Sequence, residues 1–307
     1  MTRVAAIDCG TNTIKLLVAD LDPGTGAEDE LAREMRMVRL GQDVDRTGRL
    51  ADAALERVFG AIDEYAVLIS AHDVDALRFC ATSAARDASN AAVFASGVEE
   101  RLGVAPEVVT GDEEAALAYD GATRSLAGGE HRAPFLVVDI GGGSTELIVG
   151  NGHSHVGEAR SLDVGSVRMT ERYLASDPPT ADEVAAATTS IDAALDGCPV
   201  RLATAATVVG VAGTVTTVAA MVLDLPTYQR SAIHHAQLAV PDVHAATARL
   251  LAMTHEERLA LPFMHPGRAD VIGAGALILD RVLRRTTVDP VLVSEADILD
   301  GIAWSIA

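Results

Sequence analysis

The sequence predicts an α/β protein of two similar domains, each organised around one acidic, glycine-containing hairpin. Three observations carry this. Phe135 to Gly150 reads FLVVDIGGGSTELIVG: an apolar run ending in Asp139, three glycines, then Ser144, Thr145, Glu146 and a second apolar run. Val4 to Asp20 reads VAAIDCGTNTIKLLVAD, and with Asp8 laid on Asp139 the two stretches run together without a gap. Gly10 falls on Gly141, Thr13 on Ser144 and Lys15 on Glu146. The length of 307 residues allows about two domains. A repeated hairpin, first at the N-terminus and again near mid-chain, implies two related halves facing one cleft.

Each hairpin has a chemical reading. Glycines let the backbone approach an anion, and their N–H groups can line a phosphate-sized concavity. Asp139 sits at the exit of a buried strand, where a carboxylate is costly unless a cation or hydrogen bonds compensate it. Glu146 and the Ser144 and Thr145 hydroxyls complete an oxygen-rich rim suited to a hard ion such as Mg²⁺.

Composition narrows the class. Hydrophobic residues make up 49% and aromatics 3%, so aliphatic and alanine packing must build the core. The formal net charge is −20, which argues against general nucleic-acid or membrane-surface binding. A polyanionic ligand would need local arginines, backbone amides and metal. Among 24 basic residues Lys15 is the only lysine. Three cysteines, Cys9, Cys80 and Cys198, do not make a disulfide framework, and no secretory signal precedes the first strand, so a reducing cytoplasm is expected. Leu202 to Leu223 carries no charge, but glycines and threonines interrupt it, and it parses better as strand, turn and helix than as a span.

The remaining elements follow in order. Asp22 to Gly26 is a turn, and Glu34 to Leu40 a third strand. Ala51 to Ala71 has helical spacing in Leu55, Val58, Ile62, Tyr65 and Ile69. Ala76 to Cys80 is a strand running into a helix capped by Thr82 or Ser83. A helix start with Arg86 nearby suits phosphate; a surface pair with Asp87 is the alternative. Val104 to Val109 is a strand leading into Thr110-Gly111-Asp112-Glu113-Glu114. Acidic residues there also suit a helix N-terminus, and Thr110 with Glu113 fits a capping box. Ala127 to His131 is the expected linker. His153 and His155 read as a solvated turn, and His234 with His235 as structural histidines. Arg160 to Val167 is a strand and turn that could touch substrate. Thr180 to Glu183 is a second capping box. Ala203 to Gly213 is a buried strand ending in Gly213-Thr214, either a phosphate contact or a close helix packing, and Thr214 to Leu223 is a helix. Val243–Met253, Glu256–Leu261 and Arg268–Arg285 are helical, Val291–Val293 is a strand, and Ser294 onward is a closing helical segment.

The motifs AIDCGTNTIKLLVAD, ATSAARDASN, TGDEEA, DIGGGSTEL, LDVGSVRMTE, GVAGTVTT and SEADILDGI together resemble the Ppx/GppA phosphatases, the exopolyphosphatase and guanosine pentaphosphate phosphohydrolase family, in its short two-domain form. That family shares a superfamily with actin, sugar kinases and chaperone ATPases. The resemblance implies two actin-like (ribonuclease H-like) domains, each a mixed five-stranded sheet flanked by helices, at 1–126 with 295–307 and at 127–294. It implies metal-dependent release of orthophosphate from the end of inorganic polyphosphate, with pppGpp hydrolysis as the alternative. A reading of another class is an actin-like nucleotide-binding or sensing protein with little turnover.

By position, Glu114 resembles the water-activating glutamate and Glu146 a second essential carboxylate. Asp139 resembles the metal-side aspartate and Asp8 its counterpart. Arg86 resembles the phosphate-binding arginine. Gly10, Asn12, Thr13, Gly141, Gly142, Gly143, Ser144 and Thr145 resemble the phosphate cradle, with Gly213 and Thr214 as candidate further contacts. Lys15 departs from the family pattern, and either adds charge to the phosphate channel or lies on a strand face. Mg²⁺ is the expected cofactor, with Mn²⁺ and K⁺ left open. A homodimer is expected, and no nucleic-acid polymer or membrane partner.

Overall fold

In the computed structural model the described residues are 1–126, 129–152 and 155–307. The start of the expected linker, Ala127 and Gly128, and His153 lie outside them. The chain divides into two compact units, Met1–Gly121 with Ile298–Ala307, and Ala122–Asp297.

The first unit holds strands β1 (Thr2–Cys9), β2 (Thr13–Asp22), β3 (Ala27–Met37), β4 (Ala76–Ala81) and β5 (Glu107–Val108), in the order β3-β2-β1-β4-β5. The second holds β6 (Phe135–Ile140), β7 (Thr145–Gly150), β8 (Val156–Leu162), β9 (Thr207–Val211), β10 (Gln237–Leu238) and β11 (Val291–Val293), in the order β10-β11-β9-β6-β7-β8. Without β10, the second order repeats the first position for position. Each sheet has an antiparallel meander on one side and parallel strands on the other. This duplicated mixed sheet is the actin-like, ribonuclease H-like arrangement. One correction applies: the second sheet has six strands, because Gln237 and Leu238 pair antiparallel with Leu292 and Val291 along the outer edge of β11. A two-residue strand there covers main-chain groups that the edge would otherwise present.

Local chemistry explains the elements that carry the loops. The β6 run is buried at every residue, as strands with both faces covered require. The helix Asp52–Ala71 buries Leu55, Val58, Ile62, Tyr65 and Ile69, the apolar stripe its sequence spacing predicts. The Tyr65 hydroxyl donates to the Ile14 carbonyl at 2.9 Å, anchoring that helix just beyond the first loop. On the sheet's other face the helix Ile298–Trp304 packs beside Leu117 and Ala118. Gly301 permits this, since a Cβ there would meet the Leu117 carbonyl oxygen at 2.0 Å. Arg33 on β3 and Asp300 on this helix form an ion pair.

In the second unit, the apolar stretch expected to split into strand and helix does so, as β9 and the helix Ala212–Val222. The helix Ala181–Asp196 starts with a complete capping box between Thr180 and Glu183. Among the described residues no helix is long and apolar enough to cross a membrane.

Candidate active site

The two hairpins make the same turn. Gly10 N–H donates to the Thr13 carbonyl at 2.9 Å, and Gly141 N–H to the Ser144 carbonyl at 3.0 Å. Both loops are then held from behind. In the second unit the Gly141 carbonyl accepts from Ser166 N–H (3.0 Å), the Gly142 carbonyl from Val167 and Arg168 N–H (2.8 and 3.1 Å), and the Gly143 carbonyl from Arg168 Nε (2.7 Å). Three successive carbonyls thus point at the start of the helix Ser166–Tyr173. A trans peptide sets each N–H opposite the preceding C=O. The N–H groups of Gly142, Gly143 and Ser144 therefore face the other way, forming a concavity suited to an anion. The first unit repeats this. The Thr11 carbonyl accepts from Gly41 N–H (2.8 Å) and the Asn12 carbonyl from Val38 and Arg39 N–H (3.0 and 2.9 Å), which turns the N–H groups of Asn12 and Thr13 outward.

Gly41 and Gly165 allow that support. A Cβ on Gly165 would lie 2.4 Å from the Gly142 carbonyl oxygen, and on Gly41 it would lie 2.3 Å from Thr11 Cγ2. The pair Leu40-Gly41 and Val164-Gly165 is thus a further repeated feature, not evident as a repeat in the sequence, although Val164 and Gly165 lie in the stretch expected to touch substrate. Its only trace is an apolar residue followed by glycine after the third strand of each meander.

Cross-strand register sets the charged groups. Asp139 stands opposite Glu146, and Glu146 opposite Ser161. Directly opposed residues share a sheet face with Cβ atoms about 5 Å apart. Asp139 and Glu146 are 7% and 2% exposed, and Ser161 Oγ donates to Glu146 Oε1 at 2.7 Å. At an effective dielectric of about 20, two ionised carboxylates about 5 Å apart repel by roughly 3 kcal/mol. A divalent cation removes that repulsion, and Mg²⁺ commonly takes one or two carboxylates with substrate oxygens completing its shell. The donor set fits such an ion, although among the described residues no group of three His, Cys, Asp or Glu side chains forms a ready-made cluster. In the first hairpin Asp8 stands opposite Lys15, and Lys15 Nζ lies 3.3 Å from Asp8 Oδ2.

Glu114 lies in the first turn of the helix Gly111–Arg124 and is 7% exposed. Burial pushes its carboxyl up to about 7, opposed by Arg86 and assisted by the charge of Asp8. Arg86 Nη1 donates to Glu114 Oε2 and to the Val109 carbonyl, both at 3.0 Å. The first unit thus brings Asp8, Arg86 and Glu114 together, and Arg86 pairs with Glu114 rather than Asp87. Glu113 goes elsewhere: its N–H donates to Thr110 Oγ1, while its carboxylate accepts from Arg78 at 2.9 Å.

Two expectations change in detail. The Thr145 hydroxyl is buried and donates to the Val164 carbonyl, so its proton is committed to the loop's support, not to a ligand rim. Thr82 makes no side-chain cap, and Ser83 instead bonds Thr11 at 2.9 Å. Gly213 and Thr214 show the close packing that was one of their two readings: a Cβ on Gly213 would lie 2.4 Å from the Arg268 guanidinium carbon, and one on Gly275 would lie 2.5 Å from Thr214 Oγ1. Arg268, unremarked in the sequence, reaches the Gly213 carbonyl and Thr217 at 3.4 Å. Burial disfavours the thiolate at two of the cysteines, raising Cys9 well above its usual value and Cys80 to about 12.

Two matching sheets, each with a back-supported loop after its first strand, place the protein in the actin-like two-domain class. Within that class the chain belongs to the Ppx/GppA phosphatase family, whose model matches residues 17–307. It is 46% identical over 322 aligned positions to Exopolyphosphatase 2 of Mycobacterium tuberculosis, covering all of this chain and 99% of that protein. A crystal structure described as an exopolyphosphatase-like protein superposes with a TM-score of 0.95 at 42% identity, over 100% of this chain and 98% of the other. The Ppx/GppA family member of Aquifex aeolicus superposes with a TM-score of 0.83 at 31% identity, over 99% and 97%.

Proposed function

We propose that this protein is an exopolyphosphatase, hydrolysing the terminal phosphoanhydride of inorganic polyphosphate to release orthophosphate. The observation that carries the reading is the buried Glu114, poised near neutrality beside Arg86, in a chain with two back-supported anion cradles. The M. tuberculosis relative's name supports the polymer as substrate.

The chain's residues divide the work. The outward N–H groups at Asn12–Thr13 and Gly142–Ser144 take phosphate oxygens of the polymer. Arg86 offers a guanidinium to the terminal phosphate and holds Glu114 in place. Glu114, as carboxylate, accepts a proton from water while the water oxygen attacks the terminal phosphorus in line. The bond from that phosphorus to the bridging oxygen breaks, leaving orthophosphate and a chain one unit shorter. Positioning and electrostatics supply most of the acceleration, because phosphoryl transfer needs little covalent help. Asp139 and Glu146 would hold Mg²⁺, which when bound neutralises non-bridging oxygens. With a net charge of −20, these local groups must overcome general repulsion of the polyanion. A homodimer is part of the proposal, checked by light scattering after gel filtration.

The test is orthophosphate release by purified protein from long polyphosphate, short polyphosphate, pppGpp and ATP with Mg²⁺ present. Fastest release from polyphosphate supports the reading. Preference for pppGpp replaces the substrate. Hydrolysis of ATP alone, or none at all, assigns the fold to nucleotide binding or sensing.

A further inference from the structure

The hairpins differ in charge at one register position. Opposite the aspartate, the second hairpin has Glu146, so two buried carboxylates share a face. The first has Lys15, with its ammonium 3.3 Å from Asp8 and its side chain 18% exposed. The chain's single lysine therefore sits where its sister hairpin carries a carboxylate. A lysine ammonium is a compact point charge on a flexible stem, placed where it both balances an aspartate and borders an anion cradle.

We propose that Lys15 stands in for a divalent ion at the first hairpin, so that the chain takes a single catalytic Mg²⁺, on Asp139 and Glu146. This rests on the reading of the second hairpin as the metal site. A second ion bound to Asp8 would have to displace the ammonium or sit in contact with a like charge, and neither hairpin needs that. The first cradle grips phosphate with N–H groups and Lys15; the second grips it with N–H groups and metal. Asp8, expected from the family resemblance to be the counterpart of the metal-side Asp139, becomes the partner that fixes Lys15.

The experiment counts bound Mn²⁺ on the full chain, without substrate, from loss of the free-ion electron paramagnetic resonance signal. The proteins are wild type, Lys15→Glu, Glu146→Gln and Glu146→Lys, with melting curves recorded with and without Mn²⁺. The expected result is one ion for wild type, two for Lys15→Glu, and none for either Glu146 variant. Glu146→Lys copies the charge pair of the first hairpin, so it should fold and its melting should ignore Mn²⁺. Two ions on wild type, or one on a folded Lys15→Glu, overturn the inference while Glu146→Gln still removes a site. If Lys15→Glu does not fold, Glu146→Lys decides: a folded chain free of Mn²⁺ supports the inference, and one retaining an ion overturns it. A wild type that binds no Mn²⁺, or binds it as well after Glu146→Gln, overturns the metal site itself and this inference with it.

Discussion

Gly165→Ala would set a Cβ 2.4 Å from the Gly142 carbonyl oxygen and 2.5 Å from the carbonyl carbons of Gly142 and Gly143. All three atoms are backbone, so no side-chain rotation relieves the clash. Overpacking of this kind costs about 1–3 kcal/mol. The available relief is to push the 142–143 peptide away from Val167 and Arg168, losing two backbone hydrogen bonds worth roughly 1 kcal/mol each. That movement also swings the outward N–H groups off the anion. A misplacement of about 1 Å can cost roughly 10²-fold in rate, so kcat/KM on polyphosphate should fall at least about that much, with little change in circular dichroism. Gly41→Ala meets Thr11 Cγ2 at 2.3 Å, a side-chain atom that a turn of Thr11 about its Cα–Cβ bond can move at the cost of its hydroxyl contact with Ser83, so its loss should stay near about tenfold, or roughly 1.4 kcal/mol. Activity of Gly165→Ala within a few-fold of wild type, or Gly41→Ala as the worse variant, would refute the back-supported cradle.

Two further predictions concern Glu114. Its carboxyl sits at about 7, so kcat/KM should rise with pH through that region. Arg86→Gln removes a hydrogen bond to a charged group, worth about 1.5–3 kcal/mol, and should move the acid limb upward by roughly 1–2 pH units; an unmoved limb in the pH–rate profile contradicts the pairing. Stability should follow the same group. A folded value raised from 4.5 to about 7 gives a contribution present in full below 4.5 and lost as pH rises through about 7. Glu114→Gln cannot titrate, so wild-type stability relative to the variant should drop by roughly 3 kcal/mol between about pH 4 and 8 in urea unfolding. A pH-independent difference would mean that burial does not set the Glu114 value.

The hairpins and their alignment, with Asp8 on Asp139 and Lys15 on Glu146, were legible because a strand–turn–strand writes its register locally. The sheet edges were not. β3 runs Ala27–Met37 rather than Glu34–Leu40, because AEDELAREMRM carries charge on both faces and is ordered by pairing with β2. β5 shrinks from Val104–Val109 to Glu107–Val108, with Pro106 unable to donate to a ladder. The long helix expected from Arg268 starts at Ile272, after a short turn at Pro266–Arg268. The Arg86–Glu114 pair was visible as two motifs but not as a contact. The supporting glycines, Gly41 and Gly165, were hidden because what fixes them is a backbone brought close by the fold, far along the chain.

Replacing Glu114 by glutamine keeps the side chain's size and removes its capacity to take a proton. With the fold verified, orthophosphate release from polyphosphate by Glu114→Gln should fall by about 10²- to 10⁴-fold. Release within a few-fold of wild type would contradict the assignment of this carboxylate as the group that activates water.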